Sequence, residues 1–373
     1  MIGTESVWKN EELAVFRLRS LYRARGYTPY KMSKFEEYDL YARNKHFLVS
    51  ENIITFTDTN GKLMALKPDV TLSIIKNSKD AEGQVQKLYY DENVYRVSKG
   101  TRAFKELTQV GLECIGEIDD YCITEVLALA ADSLAEISPD YVLDVSDLEI
   151  LGAVLAEMKL PEERKAEMLH CIGEKNLHGI AKIASEEDVC AEALEKLRKM
   201  LTLAGNPKTA IAVLRELLPT CTAAIARLER VIAALTRHTK GDRVRLDFSV
   251  VNDMSYYNGI VFKGFVRDVP AGVLSGGEYD KLMQKMGRAS KAIGFAVYLD
   301  LLERLGEKAP EFDVDAVVLY DEDTDTVALC AAVDAMIAKG DRVAVRRAVP
   351  ENLKYKNLLR MKNGEVTLLE THA

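Results

Sequence analysis

The sequence predicts an α+β protein: an antiparallel sheet core, an all-helical insertion and a small C-terminal α/β unit. Three observations carry this reading. Short strand-like runs separated by polar turns occupy residues 53–115 and resume at 244–266. Between them, from about Ser138 to Lys240, segments such as EALEKLRKMLTLAG and AAIARLERVIAALTRH carry helical periodicity with Gly, Pro and Asn punctuation. Past the linker-like GEKAPEF (306–312), a strand–helix–strand pattern takes over. The implied domains are 1–312, with the insertion at about 138–240, and 313–373.

Residues 7–25 read as a helix, because Leu13, Phe16, Leu21 and Tyr22 recur at helical spacing, and Gly26 ends it. Ile53–Thr57 and Leu63–Leu66 flank Asp58-Thr59-Asn60-Gly61, a strong hairpin signal. Pro68 followed by Thr71–Asn77 predicts a helix start. Lys87–Val97 and Glu106–Ile115 read as long strands around a polar loop, Ser98–Lys105. Val244–Val251 and Tyr256–Val266 read as strands, Leu274–Gly277 as a Gly-rich turn and Ala292–Leu305 as a helix. In the tail, DAVVLY, a helix over Thr324–Lys339, RVAVRR and EVTLLE complete the small unit.

Composition narrows the function. The 373 residues are 48% hydrophobic and 29% charged, ordinary for a globular protein with a sizeable core. A formal net charge of -8 argues against general binding of phosphate backbones. No apolar run approaches the roughly 18–20 residues that span a bilayer, and no membrane partner is expected. The N-terminus lacks a basic region followed by an apolar one, so no signal peptide is expected. Cys114, Cys122, Cys171, Cys190, Cys221 and Cys330 lie far apart and read as inert core thiols in a cytoplasmic protein. The five histidines have no ligand spacing, and no metal or cofactor is expected.

Four segments carry candidate chemistry. In Thr108–Cys114, Val110, Leu112 and Cys114 alternate with Gln109, Gly111 and Glu113. The second face offers an amide and a carboxylate with room at the glycine for a close approach; a half-exposed sheet face gives the same pattern. In KPDVT (67–71), Asp69 and Thr71 offer acceptors to an ammonium group or simply cap a helix. Tyr256-Tyr257 on a strand would point opposite ways, one phenol toward a pocket. Gly276-Gly277 would form either a tight turn or an anion nest.

Taken in order, these segments resemble the histidyl-tRNA synthetase family across most of residues 1–305. KPDVT resembles the family's Arg-Pro-Glu-Gly-Thr segment. VYR followed by LTQVGLECIG resembles class II motif 2. VVNDMSYYNGIVF resembles the Leu-Val-Arg-Gly-Leu-Asp-Tyr-Tyr segment, and SGGEYDKLMQKMG with AIGFAVYLDLL resembles the Gly-Gly-Arg-Tyr-Asp segment and motif 3. The resemblance implies a class II synthetase-like fold and a histidine pocket. In it Asp69, Thr71 and Gln109 hold the amino acid, Glu113, Tyr256 and Tyr257 grip the imidazole, and Gly276 and Gly277 line the floor. An imidazole N–H needs an acceptor, and a carboxylate gives a charge-assisted bond.

The departures are equally informative. Where the family has an arginine beside the Tyr-Tyr segment, this chain has Asn252. The motif 3 arginine aligns with Leu301, the motif 3 glycine with Tyr298, and the motif 2 Arg-x-Glu with Arg96-Val97-Ser98. A leucine cannot replace a guanidinium fork beside a phosphate, and each lost preorganised cation costs on the order of 10²–10³ in rate. The expectation is a degenerate ATP site and no adenylation. The motif 1 proline aligns with Ser33, so dimerisation rests on the family alone. The tail resembles a truncated anticodon-binding domain.

A family with this character is the regulatory subunits of ATP phosphoribosyltransferase. The resemblance implies a non-catalytic chain in histidine biosynthesis that partners a short-form catalytic subunit. It further implies self-dimerisation within a hetero-octamer and feedback by L-histidine as the bound ligand. Two rivals stand beside it: a synthetase paralogue binding tRNA or another amino acid, and a working histidyl-tRNA synthetase.

Overall fold

The computed structural model describes residues 10–44, 53–80, 83–98, 101–203, 205–239, 243–251, 256–304, 312–349, 351–362 and 364–372. Among the described residues, no helix is long and apolar enough to cross a membrane. The chain divides into two compact units, Glu11–Leu302 and a smaller one that holds the C-terminal residues.

The first helix, α1 (Asn10–Ala24), ends at Gly26, whose φ of 80° is the left-handed value a glycine adopts at no steric cost. A two-residue strand β1 (Thr28–Pro29) follows, then β2 (Phe35–Glu37) and α2 (Tyr38–Arg43). The expected hairpin is β3 (Thr55–Thr57) and β4 (Leu63–Leu66). Its turn is tied by Asp58 Oδ1, which accepts from the N–H groups of Asn60 and Lys62, both at 2.8 Å. The helix α3 occupies Thr71–Asn77 as the sequence predicts. Next come the long hairpin strands β5 (Val85–Val97) and β6 (Phe104–Gly116), then α4 (Asp120–Ile137), capped by Asp119.

One difference from the sequence reading follows at once. Tyr141–Asp147 is a strand, β7, inside the stretch whose texture reads as helical. It is a nearly wholly buried strand, and a short buried apolar run has no periodicity that separates strand from helix. Helices α5 (Leu148–Glu157), α6 (Glu162–Gly173), α7 (Leu177–Glu186), α8 (Ala191–Thr202), α9 (Pro207–Leu217) and α10 (Thr222–Thr239) then follow in succession. Asp147, Asn176 and Asn206 cap α5, α7 and α9, and Pro207 opens α9. On α10, Ile225, Leu228, Val231, Ile232 and Leu235 form the buried stripe.

The chain re-enters the sheet as β8 (Val244–Leu246), β9 (Asn258–Val266), β10 (Leu274–Glu278) and, after α11 (Asp280–Lys285), β11 (Lys291–Tyr298). A 3-10 turn spans Leu299–Arg304. Two sequence expectations are corrected here. Leu274–Gly277 is a mid-sheet strand rather than a turn, and residues 291–298 are strand rather than helix. Both are buried ladder strands in which small residues sit where neighbours press close.

Among the described residues the main sheet has eight strands in the order β1-β5-β6-β11-β10-β9-β7-β8, antiparallel inside with a parallel pair at each end. Beneath one face, Tyr22 of α1 meets the rings of Tyr89 and Phe295 at about 6 Å and bonds Ser133 of α4 at 3.0 Å. Leu18, Leu112, Val110 and Cys114 are fully buried there, each such aliphatic side chain contributing roughly 1.5–3 kcal/mol. The opposite face carries the candidate site. Three of the six cysteines, Cys114, Cys122 and Cys171, are buried. Cys190 and Cys330 are exposed, which corrects the expectation of six core thiols.

In the smaller unit, β12 (Val314–Leu319), α12 (Thr326–Ala338), β13 (Val343–Arg346), β14 (Tyr355–Lys362) and β15 (Glu365–Thr371) form a four-stranded sheet, order β13-β12-β14-β15, with one helix.

Candidate functional site

The site is built on the upper face of the central four strands. Pairing registers place Gln109, Gly111 and Glu113 of β6 opposite Tyr298, Ala296 and Gly294 of β11, and opposite Glu92, Tyr90 and Leu88 of β5. Gly277 of β10 continues the Glu113–Gly294 row. Directly paired residues share a face, so one alternation delivers all these groups to the same side. The expected split of β6 holds: Val110, Leu112 and Cys114 are buried in the core. Gln109 and Glu113, at 3% and 2% exposure, are too deeply enclosed for a solvated sheet face.

Glu113 is the centre. Thr71 Oγ1 donates to its Oε1 at 2.8 Å and Tyr279 Oη to its Oε2 at 2.6 Å. Burial pushes its carboxyl up to about 8, the Tyr279 and Thr71 hydroxyls pull against that, and the nearby Asp69 carboxylate pushes it further up. Asp69 is itself raised, chiefly by burial, and its Oδ1 accepts from Leu72 N–H at 3.0 Å. The N-cap of α3 is Val70 rather than Asp69; Asp69, one residue earlier, ties the first turn through Leu72, while Thr71 opens the helix and turns into the site.

The glycines act by seating these side chains. A methyl at Gly294 would collide with the Glu113 carboxyl, one at Gly111 with the Tyr90 hydroxyl, and one at Gly277 with the Tyr257 ring. Polar groups thus lie flat on bare backbone. Gly276 is a correction: it points to the other face, against Phe262 and Phe295, and lines no floor. Because β10 is a ladder strand, the anion-nest reading of the glycine pair fails as well.

Tyr256 and Tyr257 come together differently from the expectation of opposite faces. They precede β9, and their rings lie 4.4 Å apart. Tyr256 also meets the Tyr279 ring at 5.8 Å, and Tyr257 packs in two apolar clusters. Burial holds the Tyr90, Tyr256 and Tyr279 phenols far above their usual range, so they stay neutral hydroxyls. Sequence reasoning missed Tyr279, Tyr90 and Gly294. Tyr279 was within reach, since it stands in the quoted SGGEYD segment.

Deeper toward Gln109, fully buried Lys67 pairs with Glu92 at 2.5 Å. Arg96 donates from Nε to the Pro68 carbonyl at 3.3 Å. Ser98 turns the hairpin, its N–H bonded to Ala103 O at 2.9 Å. Tyr298 sits half-buried opposite Gln109, its hydroxyl 2.8 Å from Ser275 Oγ. Leu301 lies partly exposed in the 3-10 turn, and Ser33 bonds the Phe35 N–H at 3.1 Å. Asn252 lies outside the described residues.

Comparisons with known proteins identify relatives across most of the chain. The chain is 28% identical over 318 residues to the ATP phosphoribosyltransferase regulatory subunit of Acetivibrio thermocellus, covering 82% of this chain and 76% of that protein. It is 28% identical over 289 residues to the protein of the same name from Caldanaerobacter subterraneus subsp. tengcongensis, covering 76% and 75%. Among solved structures, an ATP phosphoribosyltransferase regulatory subunit/histidyl-tRNA synthetase from Bacillus halodurans superposes with a TM-score of 0.74 at 23% identity over 94% of this chain and 93% of that one. A histidyl-tRNA synthetase from Nostoc sp. PCC 7120 gives 0.72 at 15% identity over 96% and 93%. An ATP phosphoribosyl transferase complex from Thermotoga maritima gives 0.62 at 17% identity over 76% and 96%. The structural likenesses establish a class II synthetase-like fold. The sequence model described as histidyl-tRNA synthetase matches residues 4–302, and this chain belongs to that family.

Proposed function

We propose that this chain is a regulatory subunit of ATP phosphoribosyltransferase, acting in histidine biosynthesis with a separate catalytic subunit. The names of its curated relatives support the assignment. The observation that carries the ligand is Glu113, a buried carboxyl held between two hydroxyls above glycine backbone. L-histidine is the proposed occupant. Its imidazole N–H meets Glu113 among Tyr90, Tyr256 and Tyr279, and its amino-acid end lies toward Asp69, Thr71 and Gln109. An imidazolium brought beside Glu113 opposes the burial that raises its carboxyl and favours the ionised form, giving a charge-assisted pair inside a low-dielectric site.

Histidine then acts as a feedback signal. Occupancy favours a low-activity arrangement of the catalytic partner, and a coupling of about 1–3 kcal/mol is sufficient. Adenylation is not part of the reading. Tyr298 and Leu301 stand where the family's motif 3 uses glycine and arginine, and neither side chain supplies a cation to a phosphate. Self-dimerisation within a hetero-octamer and a cytoplasmic location belong to the same proposal.

The test is reconstitution. This chain is mixed with a short-form catalytic subunit from the same source, and phosphoribosyl-ATP formation is followed with and without histidine. Activation that histidine suppresses is the expected result. Histidine-dependent ATP–pyrophosphate exchange by this chain alone would overturn the reading in favour of a working synthetase.

A further inference from the structure

The helical insertion contains a cleft of about 940 Å³ that the histidine reading does not use. One wall is α9, through Pro207, Lys208, Ile211 and Arg215. The other is α10, through Ile232, Ala233, Thr236 and Arg237, and the edge strand β8 closes the floor with Val244 and Arg245. This volume lies in the roughly 300–1,000 Å³ range of small-molecule sites. Ile211, Ile232, Pro207 and Val244 are buried and make its depth apolar.

The charges are unusual for a chain of net -8. Four cations line the cleft: Lys208, Arg215, Arg237 and Arg245. Two are neutralised, Arg215 by Glu229 and Arg245 by a fork on Asp144 at 2.9 and 3.2 Å. Lys208 and Arg237, on facing helices, have no carboxylate partner among the described residues, so four cations against two carboxylates leave a charge of +2. The sheet edge adds a backbone donor. Residues 243 and 247 bond β7, so by alternation Val244 turns its N–H and C=O away from β7, toward the cleft it lines.

We propose that this cleft is a second ligand site, taking a small organic phosphate: an apolar body seated on Ile211, Ile232 and Ala233, with a dianionic head between Lys208 and Arg237. The proposal does not depend on histidine binding at Glu113.

The experiment is calorimetric titration of the full chain with phenyl phosphate, inorganic phosphate and benzoate, at low and raised salt. Phenyl phosphate should bind with an affinity that falls as salt rises, at least about tenfold tighter than inorganic phosphate. The double variant Lys208→Ala/Arg237→Ala should weaken it by roughly 5- to 25-fold, since each exposed charged contact contributes up to about fivefold. Ala233→Trp should block the slot. All three positions are exposed, so the fold should survive, and unchanged far-ultraviolet circular dichroism checks this. Absence of saturable binding below about 10 mM, tenfold weaker than a 1 mM site of about -4 kcal/mol, would overturn the proposal. So would equal affinity for phosphate and phenyl phosphate, or an affinity that both variants leave untouched.

Discussion

Two ends of one strand pair, β6 and β11, face the same side of the sheet and have opposite character. At the Glu113 end the partner is Gly294, and the carboxyl lies over bare backbone with two hydroxyls on it. At the Gln109 end the partner is Tyr298, whose ring occupies the space and whose hydroxyl is bound to Ser275. Four residues along the same strand thus separate a carboxyl seated on glycine from an end filled by an aromatic side chain. The contrast teaches that a single alternation can carry one polar face along a strand pair while the partner residue at each end, glycine or tyrosine, decides what sits over it.

The sharpest way to break this contrast is Gly294→Ala. The added methyl collides with the Glu113 carboxyl and with the Leu112 carbonyl. It should weaken histidine binding by at least about 100-fold, measured by calorimetry. Overpacking should cost about 1–3 kcal/mol in denaturant unfolding. An unchanged affinity would show that the ligand does not use the Glu113 end at all.

Next in size is Glu113→Gln, which should weaken histidine by roughly 10- to 100-fold through loss of a charge-assisted bond while leaving subunit assembly intact. The same variant has a pH signature. Folded Glu113 keeps its proton to about pH 8, against an ordinary value of 4.5. Between those values the folded state binds more protons than the unfolded one, so stability falls as pH rises from about 4.5 to about 8. The glutamine variant should flatten the slope of Tm against pH across that window; a slope equal to wild type would remove Glu113 as its source.

Tyr279→Phe removes one of the two hydroxyls on Glu113 and should weaken histidine by about tenfold. It should also raise the Glu113 carboxyl further, since that bond is what pulls it down. The smallest effect belongs to the filled end. Tyr298→Phe loses only the Ser275 bond, so histidine affinity should stay within about twofold and stability within about 1 kcal/mol. A large loss of histidine affinity there would erase the distinction between the two ends.

Much of this was legible in the chain before folding. The Asn-Gly hairpin, α3, the β5/β6 pair and the two-faced alternation of Thr108–Cys114 all follow from local rules: turn residues, caps and the period of two. Local rules mistook β7 for helical texture, β10 for a turn and β11 for a helix, because a buried strand needs no alternation and glycine reads as punctuation.

The sequence by itself determined which groups are available: a carboxylate at 113, phenols nearby, small residues between them, and bulk at 298 and 301. Only the tertiary structure decided which groups meet. Tyr279 reaches Glu113 from 166 positions away, Gly294 is opposed to it by strand pairing, and Gly276 is turned from the site by a single step of alternation. Register and burial are collective properties of eight strands closing on one core. They convert an ordinary glutamate into a carboxyl that holds its proton to about pH 8, and no local pattern encodes that shift.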